Sequence, residues 1–157
     1  MIVYSNTTPF IPLASVGRLD LLPVIFGEVR VADVVAEECA AGGPIVVPPL
    51  ERFPWIRIMD SHNCVPPTVL LELDHGERFT LALAQRDHAD LVVIDEKLGR
   101  SLGELLGLRV TGTLGVLLRA RQQNQTASFR ELAEAMRGHG IHYNQALIDR
   151  LAATVGE

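Results

Sequence analysis

Side chains able to ligate a metal or move a proton recur beside the apolar runs of this chain. Asn6 follows the run Ile2–Tyr4, and Asp95 and Glu96 end the run Leu91–Ile94. Thr111 and Thr113 follow Leu108–Val110, while Glu38 lies on a predicted helix and Glu77 comes directly after Gly76. Oxygen donors of this kind suit hard divalent cations, which bridge carboxylates to phosphates. Taken singly, each acid also has a plain structural role. Glu38 suits the solvated face of a helix. Glu77 suits a first-turn acid that complements the helix dipole. Asp95 and Glu96 suit the N-cap and first residue of the helix that follows them. Their order along the chain, not any one of them, carries the information.

The elements that must position them alternate between short apolar runs and helical periodicity, a pattern of α/β folds with a largely parallel sheet. Strands are expected at Ile2–Tyr4, Val29–Val31, Trp55–Met59, Leu91–Ile94 and Leu108–Val110, with a short extended piece at Ile45–Val47. Leu91–Ile94 is the clearest, a continuous apolar run of the type buried on both faces. Helical faces follow at Phe10, Leu13 and Ala14, then at Leu19–Ile25 with a break near Pro23. Asp33 is expected to cap the helix that carries Glu38. Further helices run from Thr68, with a pause at Asp74-His75-Gly76, and then through Leu98–Leu105 and Leu114–Leu118. Ser128 and Glu131 match a capping box, and Asn144 caps a last helix. In a parallel sheet, ligands gather at the carboxyl ends of the strands, where Asn6, Asp95, Glu96, Thr111 and Thr113 fall.

Composition narrows the classes. The 157 residues suit one domain, and 48% hydrophobic with 21% charged residues is globular, which excludes a disordered chain. Fourteen basic residues against nineteen acidic ones give a net charge of −5, which excludes a polybasic nucleic-acid coat. Lys97 is the only lysine. Two cysteines, Cys39 and Cys64, make neither a disulfide scaffold nor a zinc module, and point to a reduced, cytoplasmic protein. No basic leader with a cleavage site is read at the N-terminus, and the longest uncharged stretch is too broken by Gly and Pro to span a bilayer. His62 with Cys64, and His139 with His142, lack a zinc-site spacing. Neither a Walker A run nor Gly-x-Gly-x-x-Gly occurs.

In order along the chain, these stretches resemble the PIN-domain nucleases, in particular the PIN-like proteins related to VapC-type toxins. Ile2–Ile11 is similar to the family's first strand with its acid or amide, hydroxyl and proline. Gly17–Leu22 is similar to a subgroup signature, and Val34–Glu38 to the helix presenting the second acid. Leu73–Glu77 resembles the turn supplying the third acid, Val93–Lys97 with Arg100 the strand end supplying the fourth, and Val110–Leu117 the closing strand–helix turn. The resemblance spans about residues 1–121, with a helical extension at about 128–154.

The resemblance implies a single PIN-like domain, a three-layer α/β/α sandwich with a short parallel sheet and two C-terminal helices. It implies an Mg²⁺- or Mn²⁺-dependent endoribonuclease acting on structured or single-stranded RNA, with the toxin of a toxin–antitoxin pair as its expected role. Glu38, Glu77 and Asp95 are the expected ligands, with Glu96 a second candidate at the last position and Asn6 completing the catalytic set. Thr7, Thr8, Thr113 and Arg100 are expected at the substrate phosphate. A cognate antitoxin and a homodimer are the partners implied. Asn6 stands where the wider family usually carries Asp, removing one negative charge. The alternative is therefore a catalytically weakened PIN-like module that binds RNA or protein.

Overall fold

The computed structural model describes residues 1–157. Five short strands form, each where an apolar run is brief enough to be bounded by turns: β1 (Val3–Ser5), β2 (Val29–Ala32), β3 (Ile56–Met59), β4 (Leu91–Val93) and β5 (Val110–Thr111). All pair in parallel, in the order β3-β2-β1-β4-β5. In β1 and β4 every residue is buried, as continuous apolar runs in a parallel sheet require. Their register sets Val3 against Leu91, Tyr4 against Val92 and Ser5 against Val93.

Eight helices cover the sheet: α1 (Phe10–Ser15), α2 (Leu21–Phe26), α3 (Asp33–Ala41), α4 (His75–Arg86), α5 (Lys97–Leu105), α6 (Thr113–Gln122), α7 (Phe129–Gly138) and α8 (Gln145–Ala153). Helices α3, α4 and α5 pack in succession, while α1, α2, α6, α7 and α8 form the other layer. The result is the expected three-layer α/β/α sandwich. Phe129, Met136 and Ile148 of the C-terminal helices belong to the same core as the strands. No helix is long and apolar enough to cross a membrane.

The chain lays β2 and β3 to one side of β1, then crosses to add β4 and β5 on the other. The connections therefore diverge at the β1–β4 seam, the switch point where parallel sheets open a crevice. Asn6 on one side and Asp95-Glu96 on the other leave the sheet there.

Several local expectations are refined. Pro23 does not break α2, because it occupies the first turn, where its missing N–H has no helical partner to lose. Asp33 is the first residue of α3 rather than its cap. Its carboxylate accepts from the Ser61 hydroxyl at 2.6 Å and the Val34 N–H at 2.9 Å, tying α3 to the loop after β3. Ile45–Val47 joins no strand; it is flanked by prolines that lack a donor for a ladder. Thr68–Leu70 is one 3₁₀ turn. Ser128 caps α7 as expected, accepting from the Glu131 N–H at 3.1 Å. The second half of that cap is supplied by Glu157, which accepts from the Ser128 hydroxyl and the Phe129 and Arg130 N–H groups. Asn144 caps α8 through the Leu147 N–H.

Helix α5 turns glycines inward: Gly99 and Gly103 are its buried residues. A Cβ on Gly103 would come within 2.8 Å of Val110 Cγ1 and 3.2 Å of Leu81 Cδ2. This close approach holds the last turn of α5 against β5 and α4. Gly103→Val is accordingly expected to cost about 1–3 kcal/mol through overpacking, seen as a lower urea midpoint with an unchanged m-value. An unshifted midpoint would show that α5 does not sit this close.

Candidate metal centre

Asn6 is the first residue beyond β1, and its N–H donates to the Val93 carbonyl at 3.3 Å, which pins it to the β1–β4 seam. It is only 2% exposed. Its Nδ2 donates to Glu96 Oε2 at 3.2 Å, and its Oδ1 is buried with no protein donor. Such an orphaned oxygen is costly unless something not made of protein satisfies it. Thr8, two residues on, donates its hydroxyl to Glu96 Oε1. Thr7, between them, donates at 2.5 Å to Glu38 Oε2 instead. One tripeptide thus orients two acids from different helices.

Glu96 occupies the N-cap position of α5 but makes no capping bond. Its carboxyl meets Asn6, Thr8 and Glu77 instead. Glu77 is held on the first turn of α4, where Asp74 is the N-cap and accepts the Glu77 N–H at 2.9 Å. The Asp74-x-x-Glu77 spacing carries a signal for that cap, where only a pause at Asp74-His75-Gly76 was expected. Burial, and then the hydrogen bond and negative charge of Glu96, push the Glu77 carboxyl up to about 8. Two carboxyls in contact cannot both ionise without a counter-charge, so one keeps a proton.

Glu38 sits beside this pair rather than within it. A Cβ on Gly76 would lie 2.6 Å from both of its carboxylate oxygens. Residue 76 must therefore lack a side chain for Glu38 to rest against the start of α4, a requirement that its sequence position alone does not reveal.

Asp95 points elsewhere. Its two oxygens accept from the Thr113 N–H at 2.6 Å and the Thr113 hydroxyl at 2.7 Å, clamping the end of β4 to the start of α6. Burial raises its carboxyl above the ordinary range, partly opposed by the Thr113 bonds. Gly112 leaves room for it: a Cβ there would lie 2.9 Å from Asp95 Oδ1 and 3.7 Å from the Arg100 guanidinium. Of the adjacent acids, then, Glu96 faces Asn6 and Glu77 while Asp95 faces Thr113. Arg100 is exposed on the rim.

No three His, Cys, Asp or Glu side chains surround a common point. The donor set at the centre is Glu77, Glu96 and the orphaned Asn6 Oδ1, all oxygen. That composition fits Mg²⁺ or Mn²⁺, which accept one or two carboxylates and complete their shell with water and substrate phosphate.

Among known proteins, a family model described as a PIN domain matches residues 2–157. No curated protein matches the chain.

The Glu77 shift has a consequence for stability. Its carboxyl is raised from an ordinary 4.5 to about 8, so between those values the unfolded chain loses the proton first and stability falls as pH rises. Without divalent cations, Glu77→Gln is expected to melt above the unmodified protein near pH 8, the gap closing toward pH 4.5. Thermal unfolding in EDTA across this range measures it. A gap independent of pH would remove the shared-proton arrangement.

Proposed function

The chain belongs to the PIN-domain family, and on that premise we propose that it is a metal-dependent endoribonuclease that hydrolyses RNA phosphodiester bonds. The PIN fold is a nuclease-type fold. The observation that carries the reading is the buried contact of the Glu77 and Glu96 carboxyls beside the unpartnered Asn6 Oδ1. A divalent cation removes the need for the shared proton and satisfies the orphaned oxygen together.

Glu77, Glu96 and Asn6 would hold Mg²⁺ or Mn²⁺. When bound, such an ion supplies an activated water and neutralises charge on the phosphate and leaving oxygens. The remaining roles belong to the chain. Thr8 fixes the rotamer of Glu96 and Thr7 that of Glu38. Glu38, on the flank, accepts the Thr7 hydroxyl. Asp95 acts through Thr113, keeping the β5–α6 turn against the end of β4. Arg100 offers a guanidinium to a substrate phosphate, for which its planar fork is suited.

A second reading, a weakened module that binds RNA without cutting it, is favoured by the same geometry. Asn6 contributes no charge, and Asp95 already has both oxygens engaged by Thr113.

RNA cleavage in Mn²⁺ or Mg²⁺ separates the two. Glu77→Gln and Glu96→Gln are expected each to lower the rate by on the order of a hundredfold or more, at least the loss usual for groups that support a metal. Calorimetry is expected to show Mn²⁺ binding that both variants lose and that Asn6→Asp tightens. Unaltered cleavage in both glutamine variants would refute the assigned centre. RNA binding with neither cleavage nor millimolar metal binding would establish the module.

A further inference from the structure

Two clefts border the acid centre, and the connector between α7 and α8 forms a wall of each. One, of about 650 Å³, lies beside Asp95 and has mostly polar walls. The other, of about 470 Å³, reaches Thr7 and Glu38 and differs in chemistry. Four aliphatic side chains from three segments line it: Ile11 of α1, Ile45 and Val47 of the segment after α3, and Ile141 of the connector. All four are half-buried, so the rest of the chain covers each only in part.

The segment after α3 makes this second cleft adjustable. Residues 43–48 take part in no backbone–backbone hydrogen bond. The chain leaves α3 at Gly42 with φ +83°, a conformation that glycine adopts at no steric cost. The segment ends at Pro48-Pro49, which have no N–H to give. Its side chains alternate: Ile45 and Val47 line the cleft, while Val46 between them is exposed. Side-chain packing is what holds it, and a segment held in that way shifts at small cost.

Polar groups in the second cleft are few, and one carries a charge that no basic side chain offsets. Glu38 has no ion-pair partner. The Thr7 hydroxyl donates to its Oε2, and no protein group donates to its Oε1. We propose that this cleft is a binding site for a small amphipathic amine, its ammonium on Glu38 Oε1 and its apolar body between Ile11, Ile45, Val47 and Ile141. Sites for small organic ligands have this make-up: about 300–1,000 Å³ of space, largely apolar walls and a few polar groups that fix orientation. A hydrated metal ion would use the carboxylate and leave the aliphatic walls idle. An organic acid would be repelled by Glu38. The site needs neither a metal nor the proton shared by Glu77 and Glu96, so it stands whether or not the chain cleaves RNA.

Methyl NMR of the full chain in EDTA tests it, with tryptamine as the probe and tryptophol, its uncharged hydroxyl counterpart, as the control. Tryptamine is expected to shift the Ile11, Ile45, Val47 and Ile141 methyl resonances. It should bind about tenfold tighter than tryptophol, as a charge-assisted hydrogen bond outweighs a neutral one. Added salt narrows that gap. Glu38→Gln closes it and leaves tryptophol binding in place. Ile45→Ser, in a segment free of backbone hydrogen bonds, is expected to weaken both ligands several-fold through lost apolar burial. Equal affinity of the two probes for the unmodified chain would overturn the proposal without recourse to any variant. So would methyl shifts that lie outside the cleft, a requirement for a divalent cation, or indole-3-acetate binding as tightly as the amine. Tryptamine binding that persists in Glu77→Gln and Glu96→Gln, whatever happens to RNA cleavage, supports a site separate from the acid centre. Its loss in both would merge the two and sink the inference.

Discussion

Two carboxyl groups are pressed together at the centre of this molecule with no basic side chain bonded to either. Glu77 comes from the first turn of α4 and Glu96 from the residue before α5, and their contact forces one to stay protonated near neutral pH. Few arrangements are less favourable for an isolated protein. It persists because strands, glycines and caps around it leave these side chains no other place to go. In the proposed nuclease the same repulsion would favour a doubly charged cation, whose charge would offset the burial and the like charge.

The sheet order explains why these residues meet. β1 and β4 are neighbours in space though nearly ninety residues separate them along the chain, and the connections leaving their carboxyl ends diverge. Asn6-Thr7-Thr8 emerges on one side of that seam and Asp95-Glu96 on the other. Small residues then set the distances. Gly99 and Gly103 let α5 approach α4 and β5, and Gly76 leaves space for Glu38. These glycines matter for the volume they leave empty, and a methyl group at Gly76 would displace the Glu38 carboxylate.

The C-terminal helices are more than a cover. Glu157 caps the start of α7 through two backbone N–H groups and the Ser128 hydroxyl. These hydrogen bonds, with Arg121, outweigh the burial that would raise its carboxyl and hold it below the ordinary range. So anchored, α7 and α8 present their connector along the acid centre, which is how His139, His142 and Tyr143 come to border the two clefts. The residues that shape access to the centre thus lie far in sequence from those that form it.

Much of the architecture was legible beforehand because it depends on local pattern. Leu91–Val93 had to be an interior strand, and Ser128 and Asn144 announce helix starts; each reports the chemistry of a few neighbouring residues. The choice between Asp95 and Glu96 had no local signal. Both acids follow the same strand, and which turns inward depends on Thr113 and Gly112 receiving Asp95 while Asn6, Thr8 and Glu77 receive Glu96. Nor could spacing show that Gly76 must be bare. Periodicity and caps fix elements through neighbours in the chain. The orientation and protonation of a buried acid are decided by donors, charges and volumes from distant segments, which only the folded packing brings within reach.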